Sequence, residues 1–233
     1  MLTHRDPLFT LYLGTQTTSR VPALYQGFLA HEKEPFRDLG LEQLIFLHQI
    51  HGSYGRVVHA QDLTDPIPAF VNEGDYLVTN VPQIGLGVAT ADCLPIIFVD
   101  AHTRAVGIAH AGWRGSCEGI AIATLERMKE LYGTKAEEVQ VFFGPAAGGC
   151  CYEVQPPFQA SFARWPGADK AFAIRDGKLF FDGGVFNEQL LRTWGVTNIN
   201  RDYACCTICT PGYCSVRLAP KSPERQFTVV ALR

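Results

Sequence analysis

The chain has 233 residues, with 20 Lys and Arg against 23 Asp and Glu and a formal net charge of −3, so it shows no electrostatic footprint for nucleic acid. Hydrophobic residues make up 47% of it, charged residues 18% and aromatic residues 11%, a globular composition with material for a substantial core. No apolar run is long enough to span a bilayer, so no membrane partner is expected. The opening MLTHRDPLFTLYLG carries Asp6 and Pro7 before a short apolar run and reads poorly as a signal peptide. Eight cysteines raise the question of a disulfide scaffold, but such scaffolds are small and loop-rich. Cys150-Cys151 and Cys205-Cys206 are adjacent pairs, awkward for bridging. A cytoplasmic protein whose thiols serve burial or metal is the expectation.

In chain order, residues 8–13 (LFTLYL) read as a strand, and 14–39, rich in Thr and Pro, as loop with a short helix at most. Residues 44–51 (LIFLHQIH) alternate, with Ile45, Leu47 and Gln49 on one face and Phe46, His48 and Ile50 on the other. His51 falls where this run gives way to Gly52, on the parity of Gln49. Residues 56–59 are expected to pair back. A polar loop over 60–73 leads to strands at 75–79 and 84–90. Cys93 then sits in a turn before 94–99, which is apolar throughout and so covered on both faces. Residues 105–110 form another buried strand.

A helix is expected over 117–132, with Ser116 as N-cap, Glu118 near the positive end of the dipole and Gly133 as C-cap. Ala121, Leu125, Met128 and Tyr132 make its inward face. A strand at 138–143 enters the loop GPAAGGCCYEV (144–154), and a short helix over 156–164 starts with proline. Residues 171–174 and 178–181 form a hairpin turning at Asp176-Gly177. A helix over 185–194, a strand at 199–203, a cysteine-rich loop at 205–214 and a closing strand at 226–232 complete the chain. No repeat, linker or low-complexity tract interrupts it. The expectation is one α+β domain over residues 1–233, since strands rarely alternate with helices as a doubly wound fold requires.

Four constellations could carry chemistry. His51, Cys93 and His110 each end an apolar run beside glycine or a turn, where side chains can meet at one sheet edge. Two imidazoles and a thiolate with a fourth position open describe a catalytic zinc site. The same residues also read as a Cys93–His110 nucleophilic pair, and on spacing alone buried structural side chains are the leading reading. Gly112-Trp113-Arg114-Gly115 before a helix could hold a phosphate or carboxylate, or be a tight turn with Arg114 solvated. The glycine-rich loop 144–149 lacks the signature of a P-loop or a dinucleotide site, and Cys150 and Cys151 read as packed apolar residues. Cys205, Cys206, Cys209 and Cys214 contain one C-x2-C; without a second spaced pair, free buried thiols are favoured over a zinc knuckle. Asp75, Asp92 and Asp182 stand at the margins of apolar segments.

HQIHG (48–52), GDYLVTN (74–80), TADCLPI (90–96), AHAGWRG (109–115) and GPAAGGCCYEV (144–154) resemble, in order, the motifs of one bacterial family. It is the zinc-dependent purine nucleoside phosphorylases, also known as laccase-domain or multicopper polyphenol oxidase-like proteins. The resemblance implies two mixed β-sheets packed together with helices outside (α/β/β/α), and metal ligands at His51, Cys93 and His110. It also implies phosphorolysis of adenosine, inosine, guanosine and methylthioadenosine, with deamination of adenosine. Related members are assigned a role in peptidoglycan editing, and an older reading gives copper-dependent oxidation of phenols. The expected cofactor is Zn2+, with Cu2+ as the alternative. Expected partners are a nucleoside and phosphate, bound by a monomer. Arg114 joins the three ligands as a catalytic candidate, and Gln49, Asp92, Arg114 and Arg217 are the substrate-binding candidates. A Cys93–His110 amidase is the alternative from another class.

The chain departs from the family pattern in places. Tyr12 stands where asparagine is expected, and the terminal Phe-Ser-Tyr-Arg-Arg appears as Cys214-Ser215-Val216-Arg217-Leu218. These departures touch substrate preference and leave the three ligands in place.

Overall fold

The computed structural model describes residues 2–18, 39–64 and 70–233. In chain order the elements are β1 (Leu2–Arg5), β2 (Phe9–Leu13), β3 (Gln43–Phe46), β4 (Gly55–Val57), β5 (Tyr76–Thr79), β6 (Ile84–Thr90), β7 (Leu94–Asp100), β8 (Ala105–Ala111), α1 (Trp113–Glu118) and α2 (Ile120–Tyr132). There follow β9 (Gln140–Phe143), β10 (Glu153–Val154), α3 (Pro156–Ala160), β11 (Phe172–Arg175), β12 (Lys178–Phe181), α4 (Gly183–Thr193), β13 (Asn198–Asn200) and β14 (Gln226–Leu232).

The apolar strands β7 and β8 are the centre of a six-stranded sheet, order β13-β9-β7-β8-β5-β4, and every residue of both is buried. Period-two alternation explains how. Leu94, Ile96 and Phe98 face one core with α2 and α4, while Ile97 and Val99 face a second. On β8, Ala105, Ala109 and Ala111 take the helix side, and Val106 and Ile108 the other. That second core is shared with a five-stranded sheet, order β1-β2-β14-β6-β3, through Leu11, Ile45, Leu86 and Val230. Both of these sheets mix parallel and antiparallel pairs, β3 lying parallel to β6 and β4 parallel to β5, and a third, three-stranded sheet, order β10-β12-β11, is antiparallel throughout. The fold is therefore α+β, with two mixed sheets face to face. Among the described residues, the helices packed on a sheet face lie against the six-stranded one. The outer face of the other carries Tyr12, Leu44, Phe46, Phe227 and Val229.

Several expected elements form with shifted ends. The strand expected over 44–51 stops at Phe46, because Asn72 and Glu73 take over the backbone at His48. The segment expected to pair back on it is β4, which instead lies parallel to β5. The expected helix 117–132 is two helices. The first begins at Trp113, capped by Gly112 and not by Ser116, and Gly119 at φ 90° breaks it from α2. Ser116 lies buried within α1 and its hydroxyl accepts from Asn187 at 3.0 Å. Strand β1 was not expected, and most of the loop expected over 14–39 lies outside the described residues. The hairpin forms as expected, with Asp176 at φ 50° and Gly177 at φ 73°.

Candidate metal centre

The site forms at one end of the central strands β7 and β8, beside the loop that follows β3. His110 is the penultimate residue of β8 on the parity of Val106 and Ile108, so it faces the second sheet. Cys93 precedes β7, the antiparallel neighbour of β8. His51 arrives from the loop after β3. One ligand atom from each of His51, Cys93 and His110 lies within 4.8 Å of the others, and the two imidazole rings meet edge to face at 4.8 Å between centroids.

Asp75, one residue before β5, organises two of these three ligands. Its carboxylate accepts the backbone N–H groups of Gly52 at 2.7 Å, His51 at 3.0 Å and Ile50 at 3.3 Å. That cradle holds His51 in a left-handed turn at φ 64°, a conformation non-glycine residues adopt only when their surroundings fix it. The same carboxylate faces His110 Nδ1 at 2.8 Å, both groups almost fully buried. An ionised acceptor there fixes the proton on Nδ1 and leaves Nε2 for the ligand position, as carboxylates behind metal-bound histidines do. Burial alone would raise the Asp75 pKa, but hydrogen bonds from His110, Gly52 and His51 hold it below the usual value.

The two glycines of AHAGWRG are explained by the same turn. A Cβ on Gly112 would stand 2.8 Å from His51 Cδ2 and 3.2 Å from Cys93 Sγ. A Cβ on Gly115 would stand 2.6 Å from the carbonyl oxygen of Gly52. The start of α1 thus packs directly on the histidine turn, and only glycine permits the approach.

Without a metal the trio is a thiolate–imidazolium pair beside a second imidazole, and a cation entering it displaces a proton from His110. Burial opposes ionisation of Cys93, yet His110 and His51 bring the thiol down to about 6. Burial likewise opposes charge on His110, and the Cys93 thiolate with Asp75 raises it to about 9. A thiolate and two imidazoles form a donor set that zinc accepts readily. Among the described residues, the other group placed to hold a metal is all cysteine.

His51 and Cys93 line a cavity of about 190 Å³ together with Asp92, Trp113, Tyr152, Phe181, Val216 and Arg217, among others, and His110 stands behind that lining. This volume is below the usual ligand-pocket range of ~300–1,000 Å³, so a drug-sized ligand would extend beyond it. Arg217 stacks on Tyr152 at 4.5 Å and donates from Nη1 to the Glu153 carbonyl at 3.0 Å. Asp92, at φ 85°, accepts from Thr207 Oγ1 at 2.7 Å and from the Arg217 N–H at 2.8 Å. It ties the Cys93 turn to the C-terminal loop. Two candidates lie elsewhere. Arg114 is exposed, stacked on Trp113 at 4.7 Å and outside this lining. Gln49 spends its amide on both backbone groups of Ala89, at 2.8 and 2.9 Å, bracing the end of β6.

The structure brings together His51, Cys93 and His110 as strand-end placement suggests, and Asp75, at the margin of an apolar strand, is the carboxylate behind two of them. Tyr152 was passed over. The cysteine loop also differs from expectation. Cys206 and Cys209 meet Cys150 and Cys151, not Cys205 and Cys214, and Cys150 and Cys209 are exposed.

This architecture has known counterparts. The chain belongs to the family described as multi-copper polyphenol oxidoreductase laccase, whose sequence profile matches residues 30–233. A relative from Aquifex aeolicus named purine nucleoside phosphorylase is 39% identical over 160 residues, covering 69% of this chain and 71% of the relative. A Deinococcus radiodurans protein of the same name is 37% identical over 186 residues, covering 80% and 69%. Among solved structures, the Bacillus licheniformis hypothetical protein YfiH superposes with a TM-score of 0.83 at 25% identity, over 97% of this chain and 93% of that one. YlmD from Geobacillus stearothermophilus gives 0.75 at 26% identity, over 97% and 91%.

Proposed function

We propose that this chain is a zinc-dependent purine nucleoside phosphorylase acting on adenosine, inosine, guanosine and methylthioadenosine, with adenosine deamination as a second activity. The observation that carries the reading is the convergence of His51, Cys93 and His110, two of which, His51 and Cys93, line an aromatic-walled cavity. The names of the relatives supply the reaction class. His51, Cys93 and His110 hold the zinc, and Asp75 keeps His110 in the tautomer that can ligate. Zinc, when bound, supplies a Lewis acid with a fourth position for water or a substrate atom.

The remaining chemistry belongs to the chain. Trp113, Tyr152 and Phe181 offer ring faces and edges to a purine. Arg217, the guanidinium in the lining, holds phosphate with the N–H groups it does not give to Glu153. It replaces Arg114 in that role because Arg114 lies outside the lining. Asp92 sets the position of Arg217 through the backbone. The enzyme works as a cytoplasmic monomer in this reading.

The test is incubation of zinc-loaded protein with adenosine, and then with each of the other three nucleosides, with and without phosphate. Adenine and ribose 1-phosphate in the phosphate arm support phosphorolysis, and inosine in either arm supports deamination. Zinc-loaded protein inert towards all four nucleosides would sink the proposal.

One observation favours a second reading. Cys93, His110 and Asp75 have the connectivity of a nucleophile, its base and an orienting carboxylate, which is a cysteine amidase arrangement. Such an enzyme needs no metal. The position of His51 favours zinc, since a triad has no use for a second imidazole within 4.8 Å. Copper chemistry draws support only from the family's description.

A further inference from the structure

We propose that Cys150, Cys151, Cys206 and Cys209 form a second metal site, separate from the histidine site, that binds zinc through four sulfurs and pins together two loops of the cavity wall. The four sulfurs lie within 4.8 Å of one another, and all four cysteines are free thiols. In tetrahedral coordination at a Zn–S distance of about 2.3 Å, ligand sulfurs stand about 3.8 Å apart. Cys150 Sγ and Cys209 Sγ are 3.8 Å apart. A disulfide would engage only two of the four sulfurs, whereas a thiophilic tetrahedral cation engages them all.

Local structure explains how adjacent cysteines can share one ion. The backbone folds back at 148–152, the N–H groups of Cys151 and Tyr152 both donating to the Gly148 carbonyl. This turn brings the two side chains to one side. The opposite pair has the two-residue spacing of a zinc knuckle. The surroundings suit a centre whose four thiolates exceed the charge of one divalent ion. The Gly148 N–H points at Cys206 Sγ from 3.4 Å, and the Arg175 guanidinium donates to the Cys150 carbonyl at 3.0 Å. Exposed Cys150 and Cys209 leave a route for the ion to enter.

The two loops are already in register. Ala146 bridges Cys206, and Thr207 N–H donates to the Ala146 carbonyl at 3.0 Å. An ion at the cysteines would close this contact from its outer side. Tyr152 follows the first cysteine pair directly and Arg217 follows the second loop, so the clip would hold both against the cavity.

The test uses the full chain, reduced, stripped of metal and reloaded with cobalt(II) or zinc under anaerobic conditions. The wild type is expected to take up two equivalents. Cys93→Ala should retain one, with the intense sulfur-to-cobalt charge-transfer band of a four-thiolate centre. Cys209→Ser should lose that band and retain one. Cys150→Ser, on the other loop, gives the same reading should Cys209→Ser fail to fold. A wild type that binds a single equivalent, absent from Cys93→Ala, would overturn the proposal. So would a Cys93→Ala cobalt form without thiolate absorption, or a Cys150–Cys209 disulfide whose reduced form takes up no metal.

Discussion

Asp75 is the residue on which the largest number of site contacts converge. It accepts three consecutive N–H groups and faces His110, all with 1% of its own surface exposed. Asp75→Asn keeps the shape but weakens the carboxylate behind His110, and zinc affinity is expected to fall about 10–100-fold, read by competition with a chelator. Gly112→Ala separates packing at the metal from packing of the fold. Its φ of −65° suits alanine, yet the added Cβ collides with His51 and Cys93. Loss of metal with a fold retained by circular dichroism is the expected outcome. The metal-free protein should show a pH signature from the same pair. Cys93, held down at about 6, loses its stabilising charge as pH falls through that value. His110, held up at about 9, loses its charge as pH rises through that one. The two shifts describe one interaction. Unfolded, the imidazole titrates near 6.5 and the thiol near 9, so the gain of one group offsets the loss of the other and the pair leaves stability nearly independent of pH. The thiolate absorbance of metal-free protein reports the pair instead: it should appear as pH rises through about 6 and be absent in Cys93→Ser, and a Cys93 thiol that ionises only near 9 would contradict the thiolate–imidazolium pair.

Among the elements, those whose side-chain period was unambiguous were legible in sequence. β6 and β14 form with the expected ends, and β7 and β8 within one residue of them, because continuous apolar runs between turns leave little choice. Where a tertiary contact overrode local pattern, the expectation slipped. Residues 47–50 alternate like a strand but lie in a loop, held by Asp75 and Asn72. The helix start moved to Trp113 because α1 sits on the Gly52 carbonyl, a contact invisible to local sequence. Gly119 offers a test at this scale. Its φ of 90° and the nearby Trp165 ring mean that Gly119→Ala forces a left-handed alanine, costing about 1–2 kcal/mol. In a domain of this size that lowers the melting temperature by roughly 2–8 °C, with metal content unchanged. An undiminished melting temperature would show that α1 and α2 can join without the break.

At the scale of the molecule, the α+β class was readable from element order, and the meeting of His51, Cys93 and His110 from strand-end placement with the family motifs. The partnering of loops was not. Nothing in the spacing from Cys150 to Cys206 announces that these residues meet, because the meeting depends on how the 144–154 loop crosses the sheet end. The same holds for Arg217, brought to the cavity by Asp92 and Glu153 from far away in the chain. The proposed function rests on the His51–Cys93–His110 centre, and one titration tests it most directly. Metal-free protein is reloaded with zinc while phosphate-dependent adenine release from adenosine is followed, beside Cys93→Ala treated identically. Activity that is absent at the start, rises with zinc and never appears in Cys93→Ala is the expected result. Turnover by the metal-free wild type, or zinc-restored activity in Cys93→Ala, would contradict it.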